Sequence, residues 1–170
     1  MATNGMTRDD SRSEFFDAFM MIDGIEGESQ DSKHSKQIQV SSFQVSVGTA
    51  VSQHGGGQTT GKAQLSDLTF THLYDKSSPK LFVACATGAP AKKAVLTVRK
   101  AGKDQQDYLV VTMQDVIISQ VSMSGSDGIP TESVSLNYTQ INYEYKEQKA
   151  DGSLGGAVTG GFNVKNNKKV

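Results

Sequence analysis

The segment QIQVSSFQVSV, residues 37–47, alternates apolar and polar side chains, which is typical of a β-strand with one face in a protein core. The parity of the alternation changes once, because the apolar residues are even-numbered up to Val40 and odd-numbered from Phe43. One extra residue in a β-bulge, at Ser41 or Ser42, accounts for the change. We therefore predict a long strand that is kinked in its middle.

A second segment of the same kind is SVSLNYTQINYEYK, residues 133–146, where the parity changes between Tyr138 and Ile141. Two long kinked strands predict a sheet that curls. The other alternating segments are LSDLTFTHLY (65–74), KAVLTVRK (93–100), DYLVVTMQDVIISQVSM (107–123) and GFNVK (161–165). Turn sequences such as AGKD and SGSDG separate them, and this spacing predicts a mainly β protein, an antiparallel barrel or sandwich.

One segment, KSSPKLFVACATG (76–88), predicts a helix. Ser78 suits the N-cap, Pro79 suits the first helical position, and Gly88 suits the left-handed residue that ends a helix. Residues 81–86 are apolar on every side. We therefore expect this helix to be covered all round, either because it plugs a barrel end or because it lies in a subunit contact.

The composition limits the class of protein. The 170 residues correspond to one domain, and a hydrophobic content of 36% with a net charge of -1 argues against disorder and against a nucleic-acid binder that relies on bulk positive charge. Cys85 is the only cysteine, which excludes an intrachain disulfide and a cysteine zinc site. The longest apolar runs are far shorter than a membrane span, and residues 1–14 contain no hydrophobic signal region. We therefore expect neither membrane insertion nor export by the general secretory route.

Charge is distributed unevenly along the chain. Residues 1–31 contain eight acids against two arginines, a net charge of -6, so the remainder carries +5. The basic residues Lys165, Lys168 and Lys169 end the chain. Opposite charges at the two ends would suit a head-to-tail contact between copies, but screened surface charges contribute little, and we interpret the charged ends as solvated termini. The predicted organisation is a disordered leader (1–13) and a single domain (14–170) that ends in a flexible basic tail (165–170).

The segment HGGGQTTGKA, residues 54–63, resembles part of a nucleotide-binding loop. Gly56, Gly61 and Lys62 fit the GxxxxGK pattern, but Ala63 stands where a Ser or Thr would bind magnesium. A helix must also follow such a loop to hold the phosphates, whereas the next segment alternates like a strand. We interpret the segment as a flexible glycine-rich loop that joins two strands.

Three potential metal ligands, Glu28, Asp31 and His34, follow one another at intervals of three. The glycine and serine residues around them favour a turn over a helix. Hard and borderline ligands mixed in this way select no particular metal. We interpret the segment as a hydrogen-bonded turn and expect neither a metal nor a cofactor.

The sequence offers no constellation of catalytic residues. His54 lies in the glycine-rich segment and is interpreted as solvated, whereas His72 lies on an alternating segment and is interpreted as packed. No nearby serine or cysteine has the pattern of a nucleophile elbow. Cys85 lies in an apolar run, which indicates a small buried hydrophobic residue. We therefore do not expect an enzyme.

Three blocks in this order resemble a known family. They are GES-x-D-x-x-H at residues 27–34, SPKLFxAC at 78–85 and PTExVSLNY at 130–138. Together they resemble the haemolysin-coregulated protein (Hcp) family, the tube subunit of bacterial type VI secretion, and the likeness extends from about residue 16 to residue 163. The structural motif residues of these blocks are Gly27, Glu28, Ser29, Asp31, His34, Ser78, Pro79, Pro130, Thr131 and Glu132.

The resemblance implies a curled antiparallel β-barrel of two sheets with one principal helix, six copies of which close into a ring. Rings would stack head to tail into a tube that sheath contraction propels, with baseplate and spike proteins as partners. The ring lumen would bind small effector proteins and protect them before export. The resemblance implies no enzymatic activity, cofactor, nucleic acid or membrane insertion. The chain would assemble in the bacterial cytoplasm and leave by type VI secretion without a cleaved signal peptide.

The alternation suggests which residues face the lumen. If Phe43, Val45 and Val47 point into the barrel, the polar residues between and before them point the other way. The lumen residues predicted to contact effectors are Ser42, Gln44 and Ser46. Gln44 stands where the family commonly has a small serine, so we expect a different range of cargo. The alternative is a lumen strand that cargo never touches.

Residues 49–62 form a long glycine-rich segment. By its length and by analogy with the family, we predict that it reaches across to the next ring. The residues predicted to make this stacking contact are Ser52, Gln53, His54, Gly55, Gly56, Gly57 and Gln58. The alternative is a mobile surface arm without a partner.

Two other classes of protein compete with the tube subunit. A monomeric β-barrel that binds a small ligand would need a large apolar interior, and this chain has only 7% aromatic residues. An enzyme that hydrolyses nucleotides would need a second motif beside the glycine-rich segment, and the sequence offers none.

Overall fold

A computed structural model describes residues 16–100 and 105–170 of the chain. The predicted leader, residues 1–13, lies outside the described residues. Within the described residues the chain forms twelve strands and one helix. The strands are β1 Asp17–Ile22, β2 Ile38–Val40, β3 Ser42–Gln44, β4 Val47–His54, β5 Gly57–Leu65, β6 Leu68–Leu73, β7 Pro90–Arg99, β8 Asp107–Ser124, β9 Thr131–Asn137, β10 Gln140–Gln148, β11 Leu154–Asn163 and β12 Lys168–Lys169, and the helix is α1 Ser78–Thr87.

Strand β8 is the centre of a ten-stranded antiparallel sheet. One of its edges pairs with β7, and the other pairs with β10 and then with β9. On one side β7 pairs with β1 and β1 with β2, and on the other side β9 pairs with β6 and β6 with β3. Because β2 and β3 are consecutive, the sheet returns on itself as a curled barrel. The predicted fold class, mainly β with two sheets and one principal helix, is confirmed.

The irregularity predicted at Ser41 or Ser42 is present, but it is a break between two strands and not a bulge within one. Strand β2 pairs with β1, whereas β3 pairs with β6. At the break, the Ser41 N–H donates to the Thr71 carbonyl at 2.8 Å. The chain therefore changes partner at this residue, and the change of parity in the sequence marks a corner of the barrel.

The second predicted kink is also a break between two strands, but here the partner strand does not change. The strand breaks at Tyr138 and Thr139, and the Thr139 N–H donates to the Gln114 carbonyl at 3.0 Å. Both halves, β9 and β10, remain paired with β8. Strand β8 accommodates the corner through Asp115, whose φ is 50°, and through a shift of register between Ile118 and Gln120.

The glycine-rich segment 49–62, predicted to be a flexible loop, lies within an antiparallel hairpin. Strands β4 and β5 form a two-stranded sheet of their own, which we call the arm, and the chain turns at Gly55 and Gly56. Gly56 has a φ of 110°, which favours glycine. Val47, predicted to point into the barrel, is 70% exposed because β4 leaves the barrel at this residue. The prediction for Val47 was therefore wrong.

Strands β11 and β12 continue the sheet beyond β10, and we call them the wing. The structure differs here from the expected flexible tail, residues 165–170. Asn167 adopts a φ of 51° and turns the chain back, so that β12 pairs with Phe162 and Asn163 of β11. The Val170 N–H then donates to the Gly161 carbonyl at 3.1 Å.

The core lies inside the barrel and is contributed by every strand of its wall. Burial of these apolar side chains is the main favourable contribution to folding. The largest fully buried apolar side chains are those of Met20, Ile38, Leu68, Phe70, Leu81, Leu96, Met113, Leu136 and Ile141.

Helix α1 begins and ends close to the predicted residues. Its N-cap is Ser77 and not Ser78, because the Asp75 carboxylate accepts the Ser77 N–H at 2.8 Å and thereby holds the start of the helix. Pro79 is the second helical residue, and Gly88 closes the helix with a φ of 68°, as predicted. The helix is not covered all round in the single chain, since Phe82 is 66% exposed.

A close approach of two backbone segments fixes the turn before β2. The Gly27 N–H donates to the Lys36 carbonyl at 2.8 Å, and a Cβ atom at Gly27 would lie 2.5 Å from the Gln37 carbonyl oxygen. We expect Gly27→Ala to lower the free energy of unfolding by about 1 to 3 kcal/mol, because the backbone must separate. Gly48→Ala is the control, since a Cβ there meets open space. Chemical denaturation of both variants checks this, and equal stability of the two would contradict it.

Candidate assembly and cargo-contact surfaces

One face of the barrel wall carries only uncharged polar side chains over four neighbouring strands, and we call it the polar face. It is formed by β3, β6, β9 and the second half of β8. Its members are Ser42, Gln44, Thr69, Thr71, Gln120, Ser122, Ser133 and Ser135. All of them are exposed or half-buried.

The register of the strands arranges these residues in two rows. Gln44 lies opposite Thr69, and Thr69 lies opposite Ser135, which pairs with Gln120. The second row consists of Ser42, Thr71, Ser133 and Ser122. Between the rows, the alternate positions turn to the core, as the complete burial of Phe70 illustrates. The polar face is therefore the direct consequence of period-two alternation in four strands.

Hydrogen bonds between strands occupy several of the hydroxyl groups. The Ser42 Oγ and Thr71 Oγ1 atoms are 2.6 Å apart, and the Thr69 Oγ1 and Ser135 Oγ atoms are 2.9 Å apart. The two rows offer polar groups and no charge, and one carboxylate, that of Asp67, borders them and accepts hydrogen bonds from Ser119 and Asn137. The rows themselves do not exert the long-range attraction or repulsion that charged side chains would exert.

Ser46, the third predicted lumen residue, lies beside this face where the arm leaves the barrel. Its N–H donates to the Ser66 Oγ at 2.8 Å, and its carbonyl accepts the Ser66 N–H at 2.9 Å. The Tyr138 hydroxyl donates to the Ser66 carbonyl at 2.8 Å, and burial raises the pKa of Tyr138 to about 12. The base of the arm is thus fastened to the corner between β9 and β10.

The arm carries the residues predicted for stacking between rings. Ser52, Gln53 and Gln58 are exposed strand residues, and Gly55, Gly56 and Gly57 form the turn and the start of β5. His54 ends β4, but its side chain lies outside the described part of the structure. Lys62 is the only charged residue between positions 47 and 65.

The first family block, residues 27–34, forms the hydrogen-bonded turn that the sequence predicts. The Asp31 Oδ1 atom accepts the N–H groups of Lys33 and His34 at 2.9 and 3.0 Å. The Asp31 N–H donates to the Ser29 Oγ at 3.2 Å. Glu28 reaches further and accepts the Lys76 N–H at 3.2 Å. Among residues 16–100 and 105–170, no group of three possible metal ligands comes together.

An ion pair attaches this turn to the barrel. The Asp31 Oδ2 atom accepts a hydrogen bond from the Arg99 Nη2 at 2.5 Å, and Arg99 is only 3% exposed. Its guanidinium lies 4.8 Å from the centre of the Phe19 ring. The hydrogen bond from Arg99 holds the pKa of Asp31 at about 2, well below the ordinary value of about 3.9.

His34 completes the cover over Phe19. The two rings stack with their centres 4.5 Å apart, and the His34 Nε2 atom is 3.0 Å from the Asp107 carboxylate. The His34 Nδ1 atom is 3.2 Å from the Gln37 side-chain oxygen. Phe19 points away from the barrel core, but these neighbours cover it, so that only 3% of its surface is exposed. The role of the motif is therefore to cover the outer face of β1.

The third family block contributes a second buried pair. The Glu132 carboxylate on β9 lies 2.8 Å from His72 Nε2 on β6, and both side chains are buried. The His72 Nδ1 atom is 3.9 Å from the Asp75 carboxylate, which holds the start of α1. His72 is thus packed, as predicted. Thr131 and Pro130 precede Glu132, and the Pro130 carbonyl accepts the Tyr74 N–H at 2.8 Å.

Large apolar side chains are exposed at several places on the folded chain, among them helix α1 and the sheet formed by β10 and β11. On α1, Phe82 is 66% and Val83 is 56% exposed. On β10 and the adjoining strand β11 of the wing, Tyr143, Tyr145 and Val158 share one face and are 38, 45 and 69% exposed. Exposed apolar groups that are held by regular structure indicate contact with another protein.

The sequence did not single out Thr69, Thr71, Ser133 and Ser135 as surface residues of functional interest. The signal was nevertheless present, because each alternates with a buried apolar residue of the same segment. Only the pairing of the strands shows that they continue the rows that begin at Ser42 and Gln44.

The remaining candidates have no chemical partners in the described structure. Cys85 is half-buried on α1 and packs against the edge of the core, so the expected full burial was not found. Gly61 and Lys62 lie on strand β5, which is the wrong element for a phosphate-binding loop. In the described residues, no helix has the length and apolar character that crossing a membrane would require.

A barrel with a filled interior, a charge-free polar face and exposed apolar patches has the properties of an assembly protein. The family model described as Type VI secretion system effector, Hcp, matches residues 19–145. Protein hcp1 of Pseudomonas aeruginosa is 42% identical over 156 residues, which cover 89% of this chain and 96% of that protein.

Solved structures agree with this assignment. The crystal structure of Hcp1 from Salmonella typhimurium has a TM-score of 0.78 and 38% identity, and the match covers 91% of this chain and 99% of that one. A structure described as a type six secretion system protein has a TM-score of 0.87 and 30% identity, and the match covers 92% and 100% of the two chains. The chain belongs to the Hcp family, whose members are tube proteins secreted by the type VI system and not enzymes.

The ion pair between Asp31 and Arg99 makes a testable contribution to stability. Because the pKa of Asp31 is lowered in the folded state, its contribution is complete above the unfolded pKa and is lost as the pH falls toward about 2. We expect Asp31→Asn to lower the free energy of unfolding at neutral pH by about 3 kcal/mol, since buried Arg99 then keeps only the longer contact of 3.5 Å to Asp17. The variant should also lose part of the acid dependence between pH 4 and pH 2.

The control is Asp23→Asn, which changes an exposed carboxylate in the turn after β1. Denaturant unfolding at a series of pH values measures both variants. If Asp31→Asn retained the full acid dependence of the original chain, the assigned role of the ion pair would be wrong.

Proposed function

We propose that this chain is the subunit of a type VI secretion tube, in which six copies close into a ring and rings stack head to tail. Membership of the Hcp family supports this proposal. The observation that carries it is the exposure of Phe82 and Val83 on α1, together with Val158 on the wing. Two different patches on one chain fit a heterologous contact, which closes into a ring when the rotation between copies allows it.

We further propose that the polar face lines the ring lumen and contacts small effector proteins. The absence of charge from its eight residues supports a wall that accepts different cargoes without binding any of them tightly. Gln44 has the longer of the two outward-facing side chains on β3 and is exposed. It is therefore the residue on this strand that reaches furthest toward a bound effector.

The proposed location follows from the proposed role. Rings assemble in the bacterial cytoplasm together with sheath, baseplate and spike proteins. Contraction of the sheath then carries the tube and its effectors out of the cell. The subunit supplies surfaces in this process and performs no chemical step.

A monomeric barrel that binds a small ligand is the rival proposal. Its interior would have to be open, whereas the described barrel is filled by side chains such as Phe70, Leu96 and Met113, all with 0% exposure. The groove lined by Asp17, Glu28 and Asp75 lies at the surface of the barrel and not in its interior. The filled core therefore favours the tube subunit.

The assembly state of the purified full chain tests the main proposal. We expect light scattering to give a mass about six times that of one chain, and negative-stain images to show open rings that stack at high concentration. A shortened arm, in which Asn-Gly replaces residues 51–60, should leave the rings intact and impair stacking. A chain that stays monomeric at high concentration, even with sheath and baseplate proteins, would refute the proposal, and rings lost together with tubes would assign the arm to ring closure.

The lumen assignment is tested by placing a charge on the polar face. We expect Gln44→Arg to reduce the recovery of cognate effectors in a pull-down by about tenfold, because the guanidinium narrows the lumen and must be desolvated against the cargo. The matched control is Gln148→Arg, an exposed glutamine at the end of β10 outside this face. Rings must be confirmed for both variants. Unchanged recovery of every effector with Gln44→Arg would remove Gln44 from the cargo surface.

A further inference from the structure

A groove of about 650 Å³ opens at the end of the barrel where β1 begins. Three carboxylates line it, those of Asp17, Glu28 and Asp75, and its lining among residues 16–100 and 105–170 includes no lysine or arginine. Its rim is apolar, with Leu73 52% and Ile129 62% exposed. We call this feature the acidic groove.

The carboxylates of the acidic groove retain capacity for another partner. Contacts from described residues reach one oxygen of each: Arg99 approaches Asp17 Oδ2 at 3.5 Å, and the Lys76 N–H reaches Glu28 Oε1 at 3.2 Å. Asp75 Oδ1 accepts the Ser77 N–H at 2.8 Å. The Asp75 side chain is only 11% exposed and lies 3.9 Å from His72 Nδ1, whereas the Asp17 side chain is 34% exposed and Glu28 is exposed. Asp17 and Glu28 are therefore the carboxylates that a cationic side chain can reach.

The nearest lysines are directed elsewhere. The Lys33 Nζ atom donates to the Gln105 carbonyl at 3.1 Å, and both Lys36 and Lys76 lie within 4 Å of Glu26. A further lysine, Lys100, is exposed just beyond β7. Within the described part of the chain, none of these lysines forms an ion pair with a carboxylate of the groove.

The register of the sheet places the basic end of the chain far from this groove. Asp17 pairs with Arg99 at one end of the strands. Lys168 pairs with Asn163 on β11. The residue pairs that lead from Asn163 across β10 and β8 end at Lys93 on β7, so Lys168 and Lys93 both lie at the opposite end of the strands from Asp17. The six residues that separate Lys93 from Arg99 along β7 correspond to about 20 Å.

Positive charge dominates that second end. Lys92 and Lys93 are exposed there beside Lys165, Lys168 and Lys169, and we call this group the basic end. Two carboxylates share it, Asp23 and Asp115, and the Asp115 carboxylate accepts the Thr139 hydroxyl at 2.8 Å. Val170 adds an apolar side chain that is 53% exposed.

We propose that the acidic groove receives the basic end of a second copy of this chain. The charges are opposite, the apolar rim at Leu73 and Ile129 can cover Val170, and the two surfaces lie at opposite ends of the strands. Moving one copy along the strand direction brings the basic end of one onto the groove of the next. Such a heterologous contact repeats without closing, which is the geometry of a contact along the tube. The inference rests on the proposed stacking of rings and supplies the surface that directs it.

The first experiment reverses charge at one end and then at both. Lys168→Glu with Lys169→Glu should leave rings intact and reduce the amount of sedimenting tube by about tenfold, since like charges then face each other. Combining Lys169→Glu with Glu28→Lys in one chain should restore stacking in part. The control is Lys146→Glu with Lys149→Glu on β10 and the turn after it, which should stack normally. Stacking of the original chain should also weaken when the salt concentration is raised to about 0.5 M.

The second experiment detects the contact directly. In a Cys85→Ala background, chains with Ile129→Cys and chains with Val170→Cys are purified separately, assembled into rings and mixed at high concentration under oxidising conditions. We expect a disulfide-linked dimer from the mixture and none from either variant alone. This result does not require the tubes to be stable in dilute solution.

The outcomes separate this inference from the proposed function. Rings and tubes that form without the disulfide, and that ignore the charge reversal, would overturn the inference while the tube subunit stands. Loss of rings on charge reversal would overturn it as well, because the contact would lie within the ring. A disulfide that appears only after deletion of residues 2–13 would show that the groove holds the chain's own N-terminal segment. A chain that never forms rings would end both proposals.

Discussion

The change of partner at Ser41 is the constraint on which the rest of the architecture depends. A single N–H at this residue bonds to Thr71, and on either side of it the chain belongs to different strands of the wall. The corner closes the barrel, because it joins β1 on one side to β6 on the other. It also turns Ser42 and Gln44 outward into the rows of the polar face, and three residues later the chain leaves the wall as the arm. The closure of the barrel, the start of the polar face and the departure of the arm therefore all depend on the same short segment.

Buried polar pairs hold the additions to the barrel in place. Asp31 and Arg99 fasten the turn that covers Phe19, and His72 and Glu132 connect the wall to the start of α1 through Asp75. Pairs of this kind contribute orientation more than net stability, since desolvation offsets most of their attraction. The family blocks in the sequence coincide with these fastenings. They define the positions of the outer elements, whereas the surfaces that we propose for assembly lie on α1 and the wing, and the surface that we propose for cargo is the polar face.

Much of this architecture could be predicted from the sequence, because period-two alternation reports burial directly. The strands, the helix with its closing Gly88 and the two corners all left a local signal. Other features depend on pairing between distant residues and left none: that segment 49–62 forms a hairpin, that Lys168 returns to β11, and that Ser135 continues the row from Gln44. Val47 illustrates the limit of prediction from alternation alone. Its position in the pattern indicated a core residue, but β4 leaves the barrel wall at Val47 and the side chain is exposed. The apolar run in α1 predicted burial, and a single chain buries only part of it.

The arm has a further consequence for how copies meet. A two-stranded hairpin without a third strand or a packed face is marginally stable in water, so its order costs conformational entropy that its own contacts barely offset. The base of the arm is held by the hydrogen bond between Ser46 and Ser66, whereas Val51 and the turn are supported only by the pairing of β4 with β5. When the arm docks against a neighbouring copy, the contact energy compensates for the entropy lost in ordering the arm. The association between the two copies is therefore weaker per unit of buried area and is more readily reversed. If the arm becomes ordered only by contact with a neighbouring copy, a misplaced copy can dissociate before further contacts hold it in the assembly.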